Sequence, residues 1–459
     1  MGTDKSSRRG LLKTGIAAVA GGAALAPQSN AQSKTQSQSA AVSTARKFRA
    51  WISRGDGPGR TTLQEVTLRP IGGRQVVVRT EACNLCYSNA SAVLGVQPPG
   101  GAAAPGAFGR TNEKAIIQGH GGVGIVEAVG PEVRRVRVGD RVCVSGTPQC
   151  GSCYQCLRGR ADMCQFLIRI AADDLVPIAD LRDGTPVYEN SHIGGLADLM
   201  ITFEEWVVPV FTSASAVDLG MVCSCVSVAG LGATVTHSLA TVEPGSVVAV
   251  VGCGPLGLSA IQGARIAGAS QIVAIDPIRA RRELALKIGA HIALDPNAEK
   301  DKLVDKVRDL SKGPTDRLWA GGRDPGGRRP GSGADFVVEA AGMDQAKPKL
   351  EAGPDPTGIL PMQQAYEMTA PGGHVTTTSL VRGTFSLPGN VFSIGGRTHH
   401  AGQAGGANPM RDIQRFVELL KAGQYDAKSL ATTVVPIERM LEAYQQVLDR
   451  TTVTAIMTA

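Results

Sequence analysis

Aromatic residues and long apolar runs are scarce in this chain of 459 residues. Phe, Trp and Tyr together make up only 4% of it, and no run of 18 or more apolar residues occurs, so we expect no transmembrane helix and no stable membrane insertion. Long basic runs with interleaved aromatics are also missing despite a net charge of +7, which argues against nucleic-acid binding. Hydrophobic residues still reach 43%, which is typical of a compact α/β enzyme with two or three domains.

The segment SRRGLLK, Ser7 to Lys13, has the paired arginine of a bacterial twin-arginine signal peptide. A short glycine-rich apolar stretch follows, and Ser29-Asn30-Ala31 then offers small residues for cleavage. A disordered basic tail is the alternative interpretation. We predict a signal peptide over residues 1–31, recognition by the twin-arginine translocation machinery, and a periplasmic or secreted protein. Residues 32–46 are rich in Ser and Gln and are predicted to be a disordered spacer.

The pattern of predicted strands changes near residue 227. Short β-rich runs broken by glycines extend over residues 47–227 and predict a β-rich domain. Strands alternate with helices over residues 228–394, which predicts a doubly wound parallel sheet. Residues 395–459 contain two amphipathic helical stretches. The predicted fold class is therefore α/β, with one β-rich domain and one doubly wound domain.

Four of the ten cysteines form a closely spaced array of the type C-x2-C-x2-C-x7-C. Four thiolates at this spacing suit a tetrahedral zinc whose shell leaves no position for a substrate. Disulfides or an iron–sulfur cluster are the alternatives. Export in the folded state weakens the disulfide alternative, because metal loading would precede export. The predicted structural-zinc ligands are Cys150, Cys153, Cys156 and Cys164.

A G-x-G-x-x-G motif connects the apolar strand VVAVV to a helix. Its glycines permit a tight turn and a close approach of a diphosphate to the helix N-terminus. Asp276 ends the next predicted strand, where its carboxylate can accept a ribose 2′-hydroxyl and repel a 2′-phosphate. We therefore predict NAD rather than NADP, although three arginines just downstream keep NADP open. The candidate cofactor-binding residues are Gly252, Gly254, Pro255, Leu256, Gly257 and Asp276.

A weaker pattern joins Cys86, which follows a β-rich run, to His120 in the stretch QGHGG. A cysteine, a distant histidine and one further ligand can hold a catalytic zinc that keeps one position open for oxygen. A cysteine of this kind is also a common small core residue, so spacing alone leaves both interpretations open.

In the order of these motifs the chain resembles the zinc-dependent medium-chain alcohol dehydrogenases over about residues 47–459. The resemblance implies a GroES-like catalytic domain at 47–227 with a structural-zinc lobe at 150–164, a Rossmann domain at 228–394, and a return to the catalytic domain at 395–459. It implies that Cys86 and His120 ligate a catalytic zinc and that Ser88 relays the alcohol proton. It also implies a homodimer or homotetramer.

The resemblance leaves the third ligand of the catalytic zinc ambiguous. Alignment from the preceding strand places Cys225 at this position, whereas alignment from the following EPGS segment places Ser227 there. A two-residue insertion would reconcile the two alignments, and we predict Cys225 as the ligand. The neighbouring Cys223 is predicted to be a core residue.

The chain also departs from the family pattern around the metal and the cofactor. Gly121 and Asn89 stand where the family has acidic residues, and Tyr87 and Thr454 stand where it often has cationic ones. The loss of carboxylates would make the metal site more positive. The loss of cations would weaken dinucleotide binding unless another part of the chain compensates. The inserted loops 94–117 and 311–333 are candidates either to compensate or to reshape the substrate entrance.

The activity implied by the resemblance is the interconversion of a small alcohol and an aldehyde or ketone. Zinc would polarise the oxygen, Ser88 would carry the proton, and hydride would pass to or from NAD. Export favours a tightly retained cofactor, because the periplasm is not expected to recycle free NAD. A zinc-free medium-chain reductase and a non-catalytic dinucleotide- or metal-binding protein are the alternatives.

Overall fold

The computed structural model describes residues 46–459 except 56, 58, 97–113, 169–175, 238–239, 312–332 and 388. The predicted signal peptide and nearly all of the predicted spacer lie outside the described residues. Most of both inserted loops lies outside them as well.

The strands are β1 (Lys47–Arg54), β2 (Thr61–Leu68), β3 (Gln75–Leu85), β4 (Ala115–Ile117), β5 (Gly122–Val129), β6 (Arg141–Val144), β7 (Ala179–Asp180), β8 (Pro186–Glu189), β9 (Leu199–Phe203), β10 (Val207–Pro209), β11 (Val247–Val251), β12 (Gln271–Ile275), β13 (Ile292–Leu294), β14 (Ala334–Glu339), β15 (Thr369–Thr377), β16 (Thr398–Ala401), β17 (Ala431–Pro436) and β18 (Thr454–Thr458). The helices are α1 (Ala90–Leu94), α2 (Tyr154–Leu157), α3 (Gln165–Ile168), α4 (Ala216–Val222), α5 (Cys225–Leu231), α6 (Pro255–Ile266), α7 (Arg279–Ile288), α8 (Pro296–Glu299), α9 (Leu303–Leu310), α10 (Ile359–Met368), α11 (Gly389–Ile394), α12 (Pro409–Lys421) and α13 (Met440–Asp449).

The N-terminal β-rich part forms a closed barrel and a second sheet. The barrel has the order β1-β2-β7-β8-β4, and its interior is filled by aliphatic and aromatic side chains such as Phe48, Ile52 and Leu68. The second sheet has the order β10-β6-β5-β3-β18-β17, with β9 also paired to β3. Strand β18 pairs antiparallel to β3, so a segment near residue 458 completes the sheet that carries Cys86. Strands β17 and β18, from the C-terminal segment, thus belong to the same sheet as β3.

The second part is a six-stranded parallel sheet with the order β13-β12-β11-β14-β15-β16. Strand β11, VVAVV, is almost wholly buried, as expected for a parallel strand that is covered on both faces. Helices lie between successive strands, and α6 packs against α5. These sheets confirm the predicted α/β fold with a GroES-like and a Rossmann domain.

The predicted end of the Rossmann domain at residue 394 falls one strand early. Strand β16 pairs in parallel with β15 from His374↔Thr398 to Thr377↔Ala401, so the sheet continues to Ala401. Its sequence, THHA, lacks the apolar pattern by which the inner strands were predicted, because β16 is an edge strand with three of its four residues exposed.

No single helix in the described part of the chain is long and apolar enough to cross a membrane. The bent pair Ala216–Val222 and Cys225–Thr236 meets that test only by its combined length and composition.

Candidate active site

A cavity of about 300 Å³ lies between the GroES-like part and the parallel sheet. Residues of both parts line it, and the motifs that lie far apart in the sequence meet there. The predicted site residues on its wall include Cys86, Ser88, His120, Cys225, Gly254 and Asp276.

Cys86, His120 and Cys225 meet at one end of this cavity, where their ligand atoms all lie within 4.8 Å of one another. Cys86 directly follows β3, His120 lies in the loop between β4 and β5, and Cys225 is the first residue of α5. His120 Nε2 is 3.1 Å from Cys225 Sγ. Two thiolates and an imidazole are the ligand types of catalytic zinc sites with three protein ligands, so this donor set fits zinc with a fourth position facing the cavity.

Asn89 orients His120 from behind the candidate metal site. Its Oδ1 lies 2.6 Å from His120 Nδ1, and its side chain is fully buried. An amide oxygen can only accept in this contact, so Nδ1 carries the proton and Nε2 presents its lone pair toward the two sulfurs. Asn89 thus orients His120 as a carboxylate would, but without adding a negative charge. From the sequence, Asn89 was noted only as the absence of an acidic residue.

The two cysteine thiols of this cluster are electrostatically coupled. A hydrogen bond from Cys225 and the neighbouring His120 lower the pKa of the Cys86 thiol well below its ordinary value, against the opposing effect of burial. The same contact, together with burial, raises the pKa of Cys225. Cys86 is therefore the thiol of the pair that loses its proton more readily.

The structure distinguishes between the two alignments for the third ligand. Cys225 reaches His120, whereas Ser227 is fully buried and its Oγ lies 2.6 Å from the hydroxyl of Tyr425. Ser227 therefore belongs to a core hydrogen-bond network. Cys223 is buried with 2% of its surface exposed, and its carbonyl oxygen accepts the Cys143 thiol at 3.5 Å.

Ser88 places a hydroxyl beside the candidate metal site. Its Oγ donates a hydrogen bond of 3.2 Å to Cys86 Sγ, and its carbonyl oxygen accepts Gln345 Nε2 at 3.2 Å. Gln345 Oε1 also accepts the Ser91 backbone N–H at 3.1 Å. A residue of the Rossmann part thus holds the Ser88 segment in place, a contact that the sequence did not predict.

The four-cysteine array forms a separate cluster away from the cavity. The sulfurs of Cys150, Cys153, Cys156 and Cys164 all lie within 4.8 Å of one another, and all ten cysteines of the chain carry free thiols. Burial opposes ionisation of Cys153, but the backbone N–H groups of Gln165 and Cys156 outweigh it and lower the pKa of this thiol to about 6. A thiol-only tetrad of this kind fits a closed structural zinc site.

The glycine motif forms a tight turn that opens toward the cavity. Gly252 has φ +93°, and a Cβ on Gly257 would lie 1.8 Å from the Gly252 carbonyl oxygen, so neither position tolerates a side chain. At Gly254 a Cβ would meet only Arg281 Nη1, at 3.9 Å, so this glycine leaves space on the cavity side of the turn. Pro255 begins α6 with Leu256 beside it, so the N-terminus of a 12-residue helix faces the cavity.

The Asp276 carboxylate holds the glycine turn through hydrogen bonds to the backbone. Its Oδ2 accepts the Cys253 N–H at 2.7 Å and its Oδ1 accepts the Ile278 N–H at 2.8 Å. The carboxylate is buried, with 3% exposed, and it lies in the cavity wall. Each oxygen retains a second acceptor direction, so the fixed carboxylate can still receive ribose hydroxyls.

Two family descriptions match most of the chain. "Alcohol dehydrogenase GroES-like domain" matches residues 72–212, and "Zinc-binding dehydrogenase" matches residues 255–422. The chain is similar to "Putative alcohol dehydrogenase D" of Mycobacterium tuberculosis, with 28% identity over 84% of this chain and 93% of the relative. It is also similar to "NDMA-dependent alcohol dehydrogenase" of Amycolatopsis methanolica, with 27% identity over 84% and 92%.

A solved structure shares the whole architecture. It is an "Alcohol dehydrogenase zinc-binding domain protein" from Burkholderia ambifaria, which superposes with a TM-score of 0.71 at 23% identity over 90% of this chain and 99% of the other. At this identity the likeness concerns the fold.

Proposed function

Since the chain belongs to the zinc-dependent medium-chain alcohol dehydrogenases, a family of oxidoreductases, we propose that it interconverts a small alcohol and an aldehyde or ketone in the cavity described above, with NAD as hydride carrier. The observation that carries the proposal is the convergence of Cys86, His120 and Cys225 on the same cavity as the glycine turn. A metal-activated oxygen and a dinucleotide could thus meet within one enclosed space.

When bound, zinc supplies a Lewis acid for the substrate oxygen and the nicotinamide supplies the hydride acceptor or donor. Cys86, His120 and Cys225 would hold the metal, and Asn89 keeps the His120 ring in its ligating tautomer. Ser88 Oγ, on the cavity wall beside Cys86, can accept a hydrogen bond from the substrate hydroxyl and so orient its proton. The apolar and backbone groups of the cavity wall would limit the access of water to the reacting carbon.

The surroundings of Asp276 support NAD rather than NADP. A buried carboxylate at this position would repel a 2′-phosphate. Of the three downstream arginines, Arg279 pairs with Glu283 on the exposed face of α7. Arg282 donates to the Asp276 and Pro277 carbonyl oxygens and pairs with Asp295 at 3.3 Å. Arg281 is thus the one of the three that lines the cavity.

The paired arginine near the N-terminus supports export in the folded state, with the cofactor already bound. We propose a periplasmic or secreted enzyme that retains NAD and alternately oxidises one small substrate and reduces another. The similarity to a relative named "NDMA-dependent alcohol dehydrogenase" supports a reaction that depends on a second compound besides the alcohol. By family resemblance we further propose a homodimer or homotetramer.

The decisive experiment measures zinc and nucleotide in the full chain purified without added NAD. We expect two zinc ions per chain and stoichiometric NAD released on denaturation. Cys86→Ala should lose one zinc and the alcohol-oxidising activity, because it removes the thiolate that ionises first. The control Cys143→Ala removes a buried thiol outside both cysteine clusters and should keep both zinc ions.

Two other outcomes would contradict the proposed activity, and a third would contradict only the retained cofactor. One zinc per chain, together with activity that survives Cys86→Ala, would indicate a zinc-free reductase. Two zinc ions with no turnover of a broad panel of alcohols and aldehydes would indicate a non-catalytic binding protein. A chain that purifies without nucleotide and works only with added NAD would contradict the retained cofactor alone.

A further inference from the structure

Arg450 has a backbone conformation that arginine rarely adopts. It caps the C-terminus of α13 with φ +63° and ψ +18°, in the left-handed region that favours glycine. Residues other than glycine rarely adopt it, because Cβ crowds the following carbonyl oxygen there. Its side chain is nevertheless largely buried, with 12% exposed. Strained residues of this kind persist where the surrounding structure holds them in place, and they cluster at functional sites.

The Arg450 guanidinium is held by contacts from two directions. Its central carbon lies 5.4 Å from the centre of the Tyr87 ring, and Nη2 donates to Asp344 and, at 3.5 Å, to the Tyr87 hydroxyl. That hydroxyl also accepts the Gln345 backbone N–H at 2.9 Å. Within the described residues no hydrogen bond engages Nε or Nη1 of Arg450. The group is thus oriented in the cavity wall while two of its donor nitrogens remain available.

A second guanidinium faces the same space. Arg281 Nη1 lies 3.9 Å from the position of a Cβ on Gly254, and Arg281 lines the cavity together with Arg450. Burial lowers the pKa of Arg281 and the positive charge of Arg450 lowers it further, although Asp276 opposes both effects. Two partly buried cations that repel each other are stabilised when an anion lies between them.

These contacts order the groups along the cavity. Arg281 stands at the glycine turn beside Asp276, and Arg450 stands over Tyr87, the residue that follows Cys86. The span from Arg281 to Arg450 therefore connects the adenosine end of the proposed dinucleotide site to its nicotinamide end. The part of a dinucleotide that bridges these ends is its diphosphate.

We propose that Arg450, in the same cavity wall as Arg281, is a ligand of the cofactor diphosphate, an inference that rests on the proposed function. Arg450 replaces the cations that are missing at Tyr87 and Thr454. Tyr87 contributes its ring face to orient the guanidinium, and Thr454 is buried and accepts Asn84 Nδ2 at 3.0 Å. The compensation thus comes from a helix cap among the described residues.

The effect of neutralising Asp344 on diphosphate binding tests this arrangement, because the expected direction depends on the role of the Asp344–Arg450 pair. The Asp344 carboxylate pairs with Arg450 and would compete with the diphosphate for the same guanidinium. Neutralising Asp344 should therefore strengthen diphosphate binding, because it frees Arg450 and removes a negative charge from the site. If the pair served only to tie the two parts of the molecule together, removing either partner should weaken binding alike.

The test measures binding of ADP-ribose and of adenosine to the zinc-loaded full chain, stripped of nucleotide, by calorimetry. Arg450→Asn is the variant of choice, since Asn tolerates the left-handed backbone conformation. We expect ADP-ribose to bind it about 10- to 100-fold more weakly, as for a lost charge-assisted hydrogen bond, with adenosine affinity unchanged. Arg439→Asn, an exposed arginine just before α13 that pairs with Glu442, is the matched control and should bind both probes like the wild type.

Asp344→Asn should bind ADP-ribose more tightly than the wild type, and this second variant decides the matter if Arg450→Asn folds poorly. Wild-type affinity for ADP-ribose in Arg450→Asn, or weakening by Asp344→Asn, would overturn the assignment of Arg450 and leave the proposed function intact. Failure of the wild type itself to bind ADP-ribose would contradict the proposed function.

Discussion

Asn89 shows how one side chain can keep its geometric role while its charge is lost. Its amide oxygen holds the His120 Nδ1 proton at 2.6 Å, as a carboxylate would. A neutral acceptor leaves the imidazole a weaker electron donor, so a metal held there would carry more effective positive charge. The surroundings of the candidate site thus favour ionisation of a bound hydroxyl more than an acidic orienter would.

We predict that Asn89→Leu weakens zinc binding at this site by about 10- to 100-fold, because His120 loses the partner that fixes its tautomer. Zinc retained per chain after timed exposure to a chelator would fall from two to one. Asn89→Asp restores an acceptor at the same position and should keep both ions. Retention of two zinc ions by Asn89→Leu would show that the hydrogen bond does not support the metal.

The sequence indicated candidate residues most directly where they lie close together in the chain. The four cysteines span only 15 positions and the glycine motif only six, so spacing alone specifies their geometry. Arg450 could not be predicted in this way. It meets Tyr87 across 363 positions of sequence, and its role depends on a helix cap and a cavity that have no sequence pattern of their own.

At the scale of elements, β15 and β16 bring together a stack of histidines at one edge of the parallel sheet. His374 Nδ1 lies 2.9 Å from His400 Nε2, and the ring of His237 lies 4.8 Å from that of His400 between their centres. Burial, followed by the neighbouring histidines, lowers the pKa of His400 to about 4. The edge strand is therefore packed in a way that requires its central histidine to be neutral.

This packing predicts a loss of stability in acid. Below an ordinary histidine pKa of about 6.5, the unfolded chain binds a proton at His400 that the folded chain excludes until about pH 4. The free energy of unfolding should therefore fall as pH decreases through this window. In His400→Gln the decrease in melting temperature from pH 7 to pH 5 should be smaller than in the wild type.

Comparison of the two chains under the same conditions removes any effect of zinc release, which they share. Equal decreases in both would show that His400 does not titrate in this way.

Strand β16 also explains why the sequence places the domain boundary too early. Its two histidines and exposed threonine give no apolar signal, whereas the inner strands could be predicted from their buried valines and isoleucines.

At the scale of the whole molecule, the proposed export can be tested without reference to catalysis. The paired arginine Arg8-Arg9 carries the prediction of a twin-arginine signal. Replacing both by lysine should retain the full-length protein in the cytoplasm of a bacterium that has this export route, because the translocation machinery reads the arginine pair. Immunoblots of cytoplasmic and periplasmic fractions measure the outcome.

A control protein with a general secretory signal should be exported equally well in both strains. Periplasmic accumulation of the double-lysine variant at the wild-type level would contradict the prediction.

The fold itself was predictable at this scale, because strand alternation and motif order together specify the two-domain architecture. The third candidate ligand was less predictable, since two alignments pointed to Cys225 and Ser227. In the structure Cys225 lies beside His120, whereas Ser227 contacts Tyr425.

Strand β18 pairs with β3, from Ala455 opposite Leu85 to Thr458 opposite Ala82. Cys86 is the first residue after the paired part of β3. During synthesis, β3 therefore lacks its neighbour β18 until about 370 further residues have been made. Until then the turn that positions Cys86 is not supported by that pairing. Such distant pairing slows folding, so binding of the proposed metal at Cys86 should follow synthesis of the whole chain. A truncation that removes Thr454–Thr458 is expected to yield a protein that binds zinc at its cysteine tetrad but not at Cys86.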